Sequence, residues 1–282
     1  MKEKSELIIN LACTGVIPTK EMTPYIPLTT NEILSDVEQA IKLGVQMVHI
    51  HARDEQSKHT SDPEQYGEII SSIRKLPHGK DMIICVTTSG RSDADFAKRT
   101  QVIDLEGDRK PDMASLTPGS MNFIGSASIN TPVTIRRLAA KMKECGIKPE
   151  LEVFDLGMAN FIHVLAKEKL ITPPFYVNIL LGNIAGAQVD LIQLGAIFAA
   201  LPDECIIGVA GLGRTQLISN GLGLLFADAV RVGLEDNIWF DQKRTQLATN
   251  TDLLTRIIQQ ATLFERPLME RTKVRVKLGI EG

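Results

Sequence analysis

Residues 29–51 read TTNEILSDVEQAIKLGVQMVHIH, and this stretch contains one whole structural repeat. Thr29, with Glu32 three positions on, has the pattern of a capping box, and Leu28 and Ile33 flank it as a hydrophobic staple. Apolar residues at helical spacing run over Thr30–Leu43, and Gly44 stands where a left-handed helix terminus favours glycine. Gln46–His51 comes next as an apolar run of strand length in which Val48 and Ile50 alternate with His49 and His51.

The same alternation continues along the chain. Strand-length apolar runs lie at Leu7–Cys13, Gln46–His51, Met82–Thr87, Asp112–Thr117, Leu151–Phe154, Phe175–Leu181, Ile206–Ala210 and Ala229–Leu234. Amphipathic stretches separate them at Thr30–Leu43, Pro63–Lys75, Pro132–Cys145, Met158–Lys169, Val189–Leu201 and Gln216–Phe226, with Asn250–Thr262 after the last run. Asp62-Pro63-Glu64 marks a second capped helix start, and Gly146 a second glycine stop. Strands joined through single helices pair in parallel, and eight such repeats predict a closed (β/α)₈ TIM barrel, α/β in class. The connection Thr88–Lys110 is the least regular of the set. No low-complexity linker divides the chain, so residues 1–282 read as one barrel domain whose tail, Gln259–Gly282, closes the barrel or packs a subunit.

Composition removes several function classes. The 282 residues carry 31 Lys and Arg against 34 Asp and Glu, a net charge of −3, so no global field would draw the protein onto nucleic acid or an anionic membrane. No run of about 18 apolar residues suggests a membrane span. The start, Met1–Glu6, is too polar for a signal peptide. Cys13, Cys85, Cys145 and Cys205 are far apart, so they read as reduced packing thiols of a cytoplasmic protein.

Barrel strands send alternate side chains into the pore, and polar inward residues near a strand's carboxyl end mark an active site. On that parity Val48 and Ile50 face the helices, while His49 and His51 face inward about 7 Å apart along the strand. Such a pair suits two adjacent metal ligands or, alternatively, two hydrogen-bonded core histidines. In Val230–Asp236 the aliphatic residues face out, Arg231 and Glu235 face in, and Asp236 stands just beyond. Arg231 and Glu235 could brace the barrel as an internal ion pair. Since the last strand closes near the first two, Glu235 could also join the histidines as a third ligand. Two His and one carboxylate with open positions form a catalytic rather than sealed site; zinc fits best, with iron or manganese as alternatives. Glu152 faces in between Leu151 and Val153, and Thr87 and Ser115 point hydroxyls inward, toward substrate or toward neighbouring backbone. Gly211-Leu212-Gly213 lies after the seventh strand, where barrels often bind the phosphate of a nucleotide-bearing cosubstrate.

Together these segments resemble the β-keto acid cleavage enzyme family. The matching stretches are His49–Asp54, Asp112–Leu116 with Met121-Asn122-Phe123 after it, Lys148–Glu152, Gly208–Arg214 and Arg231–Asn237, spread over Asn10–Leu278. The resemblance implies a zinc-dependent reaction in which a β-keto acid and acetyl-CoA give acetoacetate and a new acyl-CoA, carried out by a homotetramer. It implies His49, His51 and Glu235 as metal ligands and Asp236 as general base, held by Arg231 with Glu152 nearby. Thr87, Gly90 and Ser115 would hold the keto acid end of the substrate. Where an amine-binding member carries a glutamate, this chain has Ile17, which predicts a substrate tail that is neutral or anionic; Arg91 could serve an anionic one. Alternatives are a metal-dependent aldolase without CoA, a hydrolase, or a barrel kept only for binding. The hydrolase needs more histidines, and only His59 and His78, in polar surface-like stretches, and the helical His163 remain.

Overall fold

Eight strands form the barrel wall: β1 (Ile8–Ala12), β2 (Met47–Ile50), β3 (Ile83–Val86), β4 (Met113–Leu116), β5 (Lys148–Val153), β6 (Phe175–Leu181), β7 (Cys205–Gly211) and β8 (Ala229–Val232). In the computed structural model, which describes residues 6–280, each strand pairs in parallel with its sequence neighbours and β8 closes on β1. Met1–Ser5, most of the polar start, and Glu281–Gly282 lie outside the described residues. The chain is thus a closed TIM barrel. Register carries the pore residues into rings: Asn10 lies beside Arg231, Ala12 beside His49, and Asn178 beside Glu152.

Helices α1 (Thr30–Lys42) and α2 (Pro63–Lys75) begin where the caps predict. The Thr29 hydroxyl accepts from Glu32 N, the Glu32 carboxylate accepts from Thr29 N at 3.0 Å, and Asp62 accepts from Glu64 N. Gly44 and Gly146 take φ of +83° and +63°, the left-handed stops expected of them. The third connection departs from the repeat. It holds only the five-residue α3 (Phe96–Thr100) and two 3₁₀ turns at Gln101–Asp104 and Gly107–Arg109. With Asp95 starting α3 and the left-handed Gly107 breaking the chain direction between there and β4, no long amphipathic face can form. The remaining helices are α4 (Pro132–Glu144), α5 (Leu156–Lys167), α6 (Leu191–Ala200), α7 (Gln216–Phe226), α8 (Asn250–Leu263) and α9 (Arg271–Leu278).

Outward strand residues such as Ile9, Val48, Ile84, Val153, Ile179 and Val230 pack against the helices in one continuous aliphatic shell. Each fully buried aliphatic side chain of this kind stabilises the fold by about 1.5–3 kcal/mol. Inside the barrel a smaller cluster of Ile8, Met47, Ile83, Met113 and Tyr176 fills the N-terminal half of the pore. Val274 and Leu278 of α9, both fully buried, complete that cluster, so the tail closes the barrel's floor. With the floor filled, polar inward residues are left to the C-terminal end. Among the described residues no helix is long and apolar enough to cross a membrane.

Candidate active site

Beyond β8 the chain turns through Gly233 and delivers Glu235 and Asp236 to the C-terminal mouth. Glu235 N donates to the Ala12 carbonyl at 3.1 Å, and Asp236 N to the Gly233 carbonyl at 3.2 Å. Gly15, at φ +72°, lets the loop after β1 press against Glu235; a Cβ there would stand 2.6 Å from Glu235 Cγ. Across the pore β2 presents His49 and His51.

The three predicted ligands meet. His49 Nε2 lies 3.2 Å from His51 Nε2 and 3.9 Å from Glu235 Oε1, and His51 Nε2 lies 3.2 Å from the same oxygen. Ligands on the edges of a tetrahedron with bonds of about 2.0–2.1 Å stand roughly 3.4 Å apart, so one ion fits among all three. The Glu235 Oε2 and His51 Nδ1 atoms are buried without a hydrogen-bond partner among the described residues. His49 Nδ1 bonds Glu150 Oε2 at 2.6 Å, which leaves Nε2 as the free lone pair when the imidazole is neutral. A second cluster of His49, Cys85 and Glu150 lies deeper. There burial and the adjacent Glu150 push the Cys85 thiol well up while no cation is present.

Arg231, 1% exposed, organises the acids around this triad. Its Nη2 reaches Glu235 Oε1 at 2.7 Å, its Nη1 reaches Glu152 Oε1 at 3.1 Å, and its Nε reaches Asp236 Oδ2 at 3.1 Å. Glu150 stands 3.9 Å from the same guanidinium. Four carboxylates therefore face one permanent cation, a shortfall of positive charge that a divalent ion would offset. Burial works against ionisation of all four, but the groups divide. His49 and Arg231 overcome burial at Glu150 and hold it at about 2, and His51 and Arg231 hold Glu235 well below the carboxylate range. At Asp236 and Glu152 burial prevails over Arg231, and both are pushed up. Burial lowers His49, yet Glu150 and Glu235 outweigh it and raise this imidazole to about 9 while no cation is present.

Of the other predicted contacts, Thr87, Gly90 and Ser115 line the β3 and β4 ends. The Thr87 hydroxyl accepts from Ser89 N at 3.1 Å, and the Ser115 hydroxyl accepts from Thr88 N at 3.1 Å, so both help shape the turn 87–90. Gly90 completes that turn. Ile17 is 48% exposed on the loop after β1. Arg91 lies 4.0 Å over the Phe123 ring and donates to Ser126. The Gly211–Gly213 segment does not form an open amide nest: Gly213 N donates to the Asp236 carbonyl at 2.7 Å, tying this loop to the acid beside it. A cavity of about 1430 Å³ opens at the opposite end of the barrel between Arg74, Asp112, Lys148 and Ile280, and holds none of these groups.

Three features escaped the sequence reading. Glu150, fully buried, accepts from Asn10 and Asn178 besides His49. It shares the inward parity of Glu152, but β5 starts at Lys148 rather than Leu151, so the expected strand began one residue too late to include it. Cys85, expected to be simple packing, donates to Glu150 Oε2 at 3.1 Å. His59 is not a surface residue: a short hairpin, Ala52–Arg53 with His59–Thr60, folds it edge-on against the His51 ring at 5.4 Å between centroids.

A sequence model of the beta-keto acid cleavage enzymes matches residues 6–280. The chain belongs to the β-keto acid cleavage enzyme family. It is 33% identical to a 3-keto-5-aminohexanoate cleavage enzyme of Fusobacterium nucleatum, over 100% of both chains. It is 32% identical to a 3-oxoadipate:acetyl-CoA acetyltransferase of Cupriavidus necator, over 97% of this chain and 94% of that one. Among solved structures, apo ObcA superposes with a TM-score of 0.80 at 18% identity, covering 91% of this chain and 66% of that chain, a likeness of fold.

Proposed function

We propose that this family member exchanges acyl groups between a β-keto acid and acetyl-CoA, so that R–CO–CH₂–COO⁻ and acetyl-CoA become R–CO–CoA and acetoacetate. One observation carries this: His49, His51 and Glu235 converge beside an Arg231-held Asp236, at the barrel end where such chemistry sits. Relatives named 3-oxoadipate:acetyl-CoA acetyltransferase and 3-dehydrocarnitine:acetyl-CoA trimethylamine transferase support it. We take the ion held by the triad to be zinc, from the two imidazoles, the carboxylate and the open positions. When bound, it supplies a Lewis acid for the keto oxygen.

Asp236, raised by burial, takes the proton from the carbon between keto and carboxylate groups. Arg231 keeps Asp236 ionised and aimed, with Glu152 sharing the guanidinium. The deprotonated carbon attacks the acetyl-CoA carbonyl and releases the CoA thiolate, which then attacks the original keto carbon; the bond between that carbon and its neighbour breaks, giving the new acyl-CoA thioester and an acetoacetate carbanion that takes the proton back from Asp236. No enzyme thiol takes part. Thr87, Gly90 and Ser115 hold the keto acid end, and residues 1–282 serve as one barrel domain. We also place the protein in the cytoplasm, where its four cysteines would remain free thiols, and read it as a homotetramer, which size-exclusion light scattering checks.

Ile17 offers no counter-charge, so uncharged or dicarboxylic β-keto acids should be turned over in preference to 3-keto-5-aminohexanoate. Mass spectrometry of CoA esters with a substrate panel tests both points: a new acyl-CoA with matching acetoacetate is expected. Absence of any acyl-CoA, or preference for the amine, would refute the respective proposal. Glu150→Gln is expected to weaken metal binding about 10–100-fold by loosening His49. Metal content after dialysis against graded chelator checks this.

A further inference from the structure

Arg99, on α3, is 3% exposed. Its Nε donates to the Thr88 carbonyl at 2.7 Å and its Nη2 to Asn130 Oδ1 at 2.8 Å. Its Nη1 is buried without a hydrogen-bond partner among the described residues. This atom lies directly under the turn, since a Cβ on Gly90 would come within 2.6 Å of it. Arg231 is equally buried but meets four carboxylates, whereas among the described residues no carboxylate forms an ion pair with Arg99. Burial alone acts on it, pulling the guanidinium below its usual range. The acids nearest in sequence are engaged elsewhere: Asp93 pairs with Lys98 at 2.8 Å, and Asp95 accepts from Lys98 N at the start of α3. A guanidinium keeps its charge at any ordinary pH, and a buried charge without a counter-ion is costly.

We propose that Arg99 is a positioning residue for an anionic substrate end. It braces the turn 87–90 through the Thr88 carbonyl and lends that turn a positive charge which only an incoming carboxylate compensates. The proposal rests on reading Thr87, Gly90 and Ser115 as contacts of the keto acid. It commits the site to ligands that bring a free carboxylate to this turn, excluding the corresponding esters.

Titration calorimetry of metal-loaded protein, with acetoacetate and methyl acetoacetate as probes, tests this without requiring turnover. Wild-type protein is expected to bind the acid and to bind the ester at least about 30-fold more weakly, the scale of a charge-assisted contact. R99Q keeps a hydrogen-bond donor but no charge; it is expected to lose about 30-fold in acetoacetate affinity while ester binding, metal content and KM for acetyl-CoA stay within about twofold. R99K keeps the charge and is expected to recover most of the acid's affinity. Equal binding of acid and ester by wild-type protein overturns the proposal even if neither variant folds. Unchanged acetoacetate affinity in folded R99Q, or parallel loss for acid and ester, overturns it as well. Wild-type protein that holds metal but binds no acetoacetate would instead bring down the functional reading on which the proposal rests.

Discussion

Asp236→Asn is expected to leave the metal content unchanged and to cut kcat by about 10²–10⁴-fold, the range a positioned general base contributes. Asp236 accepts from Arg231 Nε and is not among the three ligand groups of the triad, so the amide should keep the ion in place. The loss arises because an amide cannot accept the substrate proton, while its size preserves the pocket. Burial has pushed the Asp236 carboxyl up, toward the range where a base both stays ionised and accepts protons readily. Stopped assays with an accepted β-keto acid, alongside metal analysis, check this. A kcat within tenfold of wild type would remove Asp236 from the role of base, whatever the metal does.

Arg231→Met is expected to reduce stability by about 3–5 kcal/mol and to abolish activity, because removing one partner leaves buried charges of the other sign uncompensated. The guanidinium is the permanent cation shared by Glu150, Glu152, Glu235 and Asp236. For a chain of this size the Tm should fall on the order of 10 °C. Pairing R231M with D236N should recover part of the loss, since the second change removes one of the stranded charges. Thermal unfolding of the single and double variants gives the coupling. A shift no larger than that of a surface substitution would mean that the acids of the mouth are neutral in the folded protein.

The barrel was legible because each repeat carries its own punctuation: Thr29 with Glu32, Asp62 before Pro63, and the left-handed glycines at 44 and 146. The candidate site was legible by parity, since an inward charged residue near a strand's carboxyl end is costly unless it is paired or bound. Parity found His49, His51, Glu152, Arg231 and Glu235, but it depends on where a strand is thought to begin. Glu150 was missed on that account, although it bonds more pore residues than any other acid. His59 was unreadable for a different reason. Its placement comes from a two-residue hairpin among polar neighbours, which leaves no periodic trace. Arg99 likewise reveals its burial only once the irregular β3–β4 connection is folded, because a five-residue helix is too short for an amphipathic pattern.

The most direct test of the proposed acyl exchange at this candidate metal site follows carbon from [¹³C₂]acetyl-CoA in the metal-loaded enzyme with an accepted β-keto acid. The expected label lies in the terminal methyl and keto carbons of acetoacetate, with the new acyl-CoA unlabelled in its acyl group and both products absent after chelation. Cleavage that proceeds without acetyl-CoA, acetoacetate without label, or full activity after verified removal of metal would contradict it.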